Sequence, residues 1–291
     1  MKYYKASLLI SLLIVFSAFR SDKPAYLLFN QKGKVVKYKK LIESAQKADI
    51  IFFGELHDNP IAHWLQYDLT LDLFHQRGGT IVLGAEMFET DNQEALNAYL
   101  NDELNSDSLK KVARLWPNFK TDYKPLLDFA KTEKLPFIAT NIPRSYASLV
   151  FRNGFSVLDT LSDAIKAFIA PLPVSYDPEL PGYKNMIEMM NGESHGFDIE
   201  NLPKAQAIKD ATMAWFIYRN LQPGKLFIHY NGTYHSDNFE GIIWYLNLLK
   251  PDLKIVTISS IESEQPITIP EDKIGVAHFV VAVPTTMTKT Y

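Results

Sequence analysis

Six short apolar runs set the possible folds of this chain: ADIIFFG, TIVLGAE, LPFIATN, KLFIHYNG, LKIVTISS and AHFVVAV. Their hydrophobicity is nearly continuous rather than alternating, so both faces of each must be covered. Most are followed by a helical pattern, which predicts an α/β fold: a mostly parallel sheet flanked by helices. The helix after the first run carries its own start and stop. Asn59 is placed as N-cap with Pro60 at the first helical position, and Gly78-Gly79 follows Arg77. Ile61, Leu65, Leu69 and Leu73 form its i+4 apolar ladder. A second helix is expected from about Lys204 to Asn220. Residues 91–131 read as helical and polar, and residues 162–203 as rich in loop, proline and tyrosine. Both are expected to form a helical lid over the sheet's functional edge.

The polar residues cluster where the runs stop. GELHDNP is a strand-to-helix turn carrying Glu55 and His57, and NGTYH repeats the Gly-x-x-His form at His235. Asp237 and Glu240 have capping-box spacing at the helix start that follows. TIVLGAEMF ends on Glu86, and PFIATNIPR delivers Asn141 and Arg144. In a parallel sheet the carboxyl ends of all strands share one edge, where ligands of open α/β sheets bind. His57, Glu86, Asn141, Arg144 and His235 are therefore expected to converge from four strands. Positions at a sheet edge are also expected to be replaceable at little cost in stability. Each residue alone has a local explanation as a cap, a solvated turn or an ion pair. Together, two histidines and a glutamate could hold a divalent metal with an open position.

Composition narrows the chemistry. The chain has 291 residues with 30 basic and 33 acidic side chains and no basic run, so nucleic acid is not an expected partner. It contains no cysteine, which excludes disulfides, thiolate ligands, thiol nucleophiles and a lipid-anchored N-terminal cysteine. Lys2 and Lys5 precede an apolar run from Ala6 to Phe19, the pattern of a signal peptide over residues 1–21 or of a retained N-terminal anchor. Residues 22–291 are then one domain working outside the cytoplasm, periplasmic or membrane-associated. GESHG, Gly192 to Gly196, has the spacing of a nucleophile elbow but lacks the flanking strand and helix.

Taken in order, GELHDN with His63 and Gln66, AEMFETDNQ, NIPRSYA, AQAIKDATMAW and NGTYH resemble the ChaN-like haem-binding family. That family lies within the wider Tiki, TraB and erythromycin-esterase superfamily, marked by paired Gly-x-x-His motifs with a Glu and an Arg. The matches run from about residue 49 to 245. One departure is that Ala62 precedes His63, where the family often has a histidine pair. The resemblance implies haem or another iron porphyrin as cofactor, a tyrosine axial ligand, a homodimer sharing two haems, and an outer-membrane uptake partner. For this chain it points to Tyr176, Tyr183 and His195 in the lid, with Asn141 and Arg144 beside them and basic rim groups pairing with the propionates.

Three readings follow: an exported haem-binding protein of haem or iron uptake, a metal-dependent hydrolase, or a polar edge that only stabilises the fold. In the hydrolase, Glu55 or Glu86 is general base toward a metal-bound water and Arg144 stabilises the oxyanion. The N-terminal reading has a direct test. Deleting residues 1–21 is expected to leave a soluble, folded protein retained in the cytoplasm, measured by fractionation and circular dichroism. Aggregation of the truncated chain alone would make Ala6–Phe19 part of the fold.

Overall fold

The computed structural model describes residues 23–190, 198–264 and 267–291. The N-terminal segment read as signal or anchor, His195 and the GESHG stretch lie outside the described residues. All six apolar runs are strands, and a seventh precedes them. The strands are β1 (Leu27–Asn30), β2 (Ile50–Glu55), β3 (Ile81–Glu89), β4 (Phe137–Asn141), β5 (Leu226–Gly232), β6 (Ile255–Ser263) and β7 (Phe279–Pro284). They lie in one sheet in the order β1-β7-β6-β2-β5-β3-β4. Every neighbouring pair is parallel except β1 with β7.

The chain's helices among the described residues are α1 (Tyr38–Ala45), α2 (Pro60–Gln76), α3 (Gln93–Leu100), α4 (Ser106–Val112) and α5 (Lys124–Thr132), followed by α6 (Arg144–Asn153), α7 (Asp163–Lys166), α8 (Pro181–Met189), α9 (Asn201–Arg219) and α10 (Ile242–Leu249). Two cores explain the continuous hydrophobicity of the strands. On one face Ile51, Phe53, Leu83 and Ile228 meet Leu65 and Leu69 of α2 and Leu126 and Leu127 of α5. On the other, Ile50, Phe52, Val82 and Phe227 meet Val150 of α6, Ile208 and Ala211 of α9, and Leu246 of α10. The strand period of two thus sends alternate residues into different cores.

Helix α2 begins where expected. The Asn59 side chain accepts from the N–H groups of Ile61 and Ala62 at 3.0 and 3.2 Å, and Pro60 follows it. The ladder Ile61, Leu65, Leu69, Leu73 is buried. Residues 91–131 form α3, α4, a π-helical turn (Phe119–Tyr123) and α5. They send Leu96, Leu109, Phe119 and Tyr123 into the first core, and they reach the sheet's carboxyl edge through Trp116, whose ring lies 4.8 Å from that of His57. From the second proline-rich stretch, α8 reaches the same edge from the other side, through Met186 and Met189.

Candidate functional site

The two Gly-x-x-His motifs occupy adjacent strands. Strands β2 and β5 pair in parallel with Gly54 opposite Asn231 and Glu55 opposite Gly232, so both turns leave the sheet at one level. Each glycine makes room for the other turn. A Cβ on Gly54 would stand 3.0 Å from the Thr233 Cα, and a Cβ on Gly232 would stand 2.7 Å from His57 Nε2. No side chain fits at either position without moving the His57 imidazole or the backbone.

Two carboxylate–imidazole pairs result, one from each face of the sheet. Glu55 points to the first core side, where its Oε1 accepts from His57 Nδ1 at 2.9 Å and from the Tyr123 hydroxyl at 2.8 Å. Its Oε2 accepts from Gln66 Nε2 at 2.6 Å. Glu86 lies on the other side, where its Oε2 accepts from the Gly232 N–H at 2.7 Å and its Oε1 from His235 Nε2 at 3.2 Å. His235 Nδ1 donates to Asp210 of α9 at 2.5 Å. His235, Glu86 and Asp210 are all buried, whereas the His57 side chain keeps 34% of its surface exposed.

Electrostatics separate the two histidines. Burial pushes the His235 imidazole down, but Glu86 and Asp210 outweigh it and raise it to about 10. Burial pushes Glu86 up, yet His235, then His57 and the Gly232 N–H, hold it well below the usual carboxylate range. Asp210 is raised by burial despite His235. His235 is therefore an imidazolium between two acids, with both ring nitrogens donating, and has no lone pair to offer a metal. His57 is lowered by burial and raised more by Glu55 and Glu86. Its Nε2 makes no hydrogen bond among the described residues.

Of the expected cluster, His57, Glu86 and His235 converge and Glu55 joins them. The expected divalent-metal site is not supported: among the described residues no three histidine or acidic side chains are arranged to hold an ion. Arg144 starts α6, is exposed, and makes no ion pair among the described residues. Asn141 sits at the end of β4, its Oδ1 buried and unbonded. Tyr176 and Tyr183 stack on each other at 5.5 Å within the second core, and burial raises both hydroxyls. Asp237 and Glu240 do not cap a helix: α10 starts later, after Gly241 at φ 56°, and Glu240 instead accepts from the Gly182 N–H at 2.7 Å. The motif AQAIKDATMAW contains Gln206 and Asp210, which lie 2.9 and 2.5 Å from His235 Nδ1, but neither is singled out from sequence because they lie mid-helix in α9 with no strand end to flag them.

A cavity of about 680 Å³ opens over this edge. Leu56, Met186, Met189, Met190 and Leu202 give it an apolar wall, and Glu55, His57, Gly232 and His235 form its floor. Asp58, Gln206, Thr233, Tyr234 and Tyr291 complete the lining, which includes neither Tyr176, Tyr183, Asn141 nor Arg144. The expected basic rim is also absent from the described lining; Lys289 reaches the lining residue Asp58 but is shared with Glu262.

The sequence matches the family described as haem-binding uptake, Tiki superfamily, ChaN, over residues 41–246. The chain belongs to that ChaN family. Comparison with curated protein sequences gives no match. Among solved structures, one titled for cofacial haem binding to ChaN of Campylobacter jejuni shares 19% identity, covers 88% of this chain and 96% of its own, and has a TM-score of 0.64. A Bacillus cereus protein (13% identity, 84% and 90% coverage) and an erythromycin esterase, EreC (12%, 88% and 83%), align at TM-scores of 0.47 and 0.45. The Campylobacter likeness shows that this chain has the ChaN fold.

The buried network of Glu86, His235 and Asp210 makes a stability prediction opposite to the expectation of cheap edge positions. His235→Gln leaves Glu86 and Asp210 facing each other without the cation, and is expected to cost about 3–5 kcal/mol. The pH dependence has a defined sign. A histidine raised from 6.5 to about 10 stabilises fully below pH 6.5 and loses that contribution as pH climbs toward 10. The melting-temperature gap between wild type and His235→Gln is thus widest near pH 6 and narrows toward pH 10. A gap constant across that range would show that His235 is not charged in the folded state.

Proposed function

We propose that this chain is an exported haem-binding protein of a haem or iron uptake route, taking ferric porphyrin in the cavity above the paired Gly-x-x-His turns. The observation that carries the reading is the cavity's lining: a methionine- and leucine-rich wall with Tyr234 beside it at the sheet edge. Such a wall suits a flat apolar macrocycle, and thioethers adapt to its shape. The residues therefore fit the group that the family implies. Ferric haem supplies a Lewis-acidic iron, for which phenolate is a suitable partner.

Tyr234 is the residue we assign to that role, in place of the core tyrosines 176 and 183. It stands between Gly232 and His235 in the second motif, 41% exposed. Its hydroxyl donates to the Gly182 carbonyl at 2.6 Å, and burial, then Glu240 and Asp210, push it up to about 12. Ligation must release that proton, so affinity is expected to rise with pH, by up to about tenfold per unit. His57 Nε2, free on the cavity floor, is the group that would offer a hydrogen bond to a carboxylate of the bound porphyrin. Support for export comes from the lysine-flanked apolar run 6–19. A homodimer and an outer-membrane uptake partner belong to the same reading.

A second reading rests on His57. Glu55 fixes its Nδ1 while Nε2 remains unbonded beside Gly232, the arrangement of an oriented general base. A hydrolase built on it would activate water without Arg144. Ester and peptide substrates turned over by wild type but not by His57→Gln would establish it.

Haemin titration followed by absorbance tests the first reading. Wild type is expected to show a phenolate-to-iron charge-transfer band. Tyr234→Phe removes only the oxygen and is expected to lose the band and at least tenfold in affinity, while Tyr176→Phe and Tyr183→Phe keep both. A band that survives in Tyr234→Phe moves the ligand elsewhere. Haemin binding no tighter than to a nonspecific control protein removes the haem reading.

A further inference from the structure

On the far side of the His57 turn, α2 and α5 enclose a second cleft of about 340 Å³ that shares no lining residue with the first cavity. We propose that this cleft binds a small aliphatic amine, ammonium end inward. Its side walls are aromatic. Trp64 is 50% exposed and Tyr67 follows one turn later on α2, with Pro60 and Pro125 at the margins. Tyr26 meets Trp64 edge to face at 6.1 Å, which fixes the indole plane.

The base of the cleft is a carboxylate. Asp122, in the π-helical turn, is 4% exposed and lines the cleft. Its Oδ2 accepts from Asn118 Nδ2 at 2.7 Å and from the Thr290 hydroxyl at 2.8 Å, with His63 Nε2 at 3.5 Å. Its Oδ1 accepts no hydrogen bond from any described residue. A carboxylate oxygen that takes no donor from the protein and stays accessible at a cleft is free to accept one from a ligand there. His63 does not fill that place: its Nε2 donates to the His57 carbonyl at 3.0 Å. No lysine or arginine lines the cleft among the described residues.

These features select a class of ligand. Aromatic faces attract a cation and reward its desolvation, and the alkyl stem packs on the rings. Asp68, next to Tyr67 on α2, adds negative charge close to Tyr26, whose hydroxyl it raises after burial. A primary ammonium also brings the N–H donors that Asp122 Oδ1 lacks, whereas a quaternary ammonium brings none. An anion has no partner here. The proposal stands apart from haem binding, since neither the ligand nor the residues are shared.

The full-length protein titrated with n-butylammonium chloride at constant ionic strength, followed by tryptophan fluorescence and calorimetry, tests it. Saturable binding is expected in the millimolar range, at least tenfold tighter than tetramethylammonium chloride and absent with sodium butyrate or sodium chloride. Asp122→Asn keeps the shape and is expected to weaken butylammonium at least tenfold, with folding checked by its melting curve. Trp64→Leu, at an exposed position, gives the same loss by calorimetry and decides the matter if Asp122→Asn unfolds. Equal binding of butyrate, no saturation with butylammonium, or unchanged affinity in a folded variant would each overturn the proposal. Haemin titration of the same variants is expected to match wild type, so failure of one site is distinguishable from failure of the other.

Discussion

The parallel pairing of β2 with β5 holds the site together, because it sets Gly54 and Gly232 beside each other's turns. Two peptide segments 178 positions apart can approach this closely only if neither carries a Cβ where they meet. That contact fixes how far His57 stands from Glu86 and where the Gly232 N–H points. The ionic chemistry follows from the backbone geometry. Glu86 is stable as an anion within the protein because a backbone N–H and an imidazolium meet it at the strand end.

The two carboxylate–imidazole pairs look alike in sequence and do different work. His235 is enclosed, doubly donating and charged, so its three-residue network joins α9 to the sheet and has no free valence for a ligand. A buried arrangement of this kind fixes geometry more than it adds net stability, since desolvation offsets most of the attraction. His57 has one carboxylate, one open nitrogen and a third of its surface in the cavity. The polar motif side chains that remain exposed at this edge are therefore His57 and Tyr234. The first motif turns Glu55 inward and Leu56 to the cavity; the second turns His235 inward and Tyr234 to the cavity.

Much of this was legible in the sequence, for identifiable reasons. The long strands were readable because burial on both faces makes an unbroken apolar run, and helix α2 because Asn59-Pro60 and Gly78-Gly79 are local signals. Strand β1 was not, since four residues pairing antiparallel at an edge leave no periodic trace. Glu86 and both histidines were found by their place at strand ends. Asp210 was hidden because its position on α9 has meaning only after α9 packs on the sheet. The spacing of Asp237 and Glu240 suggested a cap, but Gly241 at positive φ resets the chain, and Glu240 serves the start of α8 instead.

The tyrosines carry this difference furthest. Tyr176 and Tyr183 stand out in sequence because they lie among prolines and methionines in an irregular stretch, which is how a lid is expected to look. In the fold their rings stack and their hydroxyls are buried without a hydrogen bond, so ionising either would place an unpaired charge in the second core. Tyr234 is inconspicuous because it sits inside a motif whose flanking glycine and histidine draw the attention. It nevertheless lines the cavity from the strand-end turn, and its hydroxyl donates to the Gly182 carbonyl rather than lying unbonded in a core. Its backbone belongs to the strand-end turn, and its hydroxyl ties that turn to Gly182 of α8. In this architecture the glycine and histidine of the motif build the floor, and the residue between them lines the cavity above it.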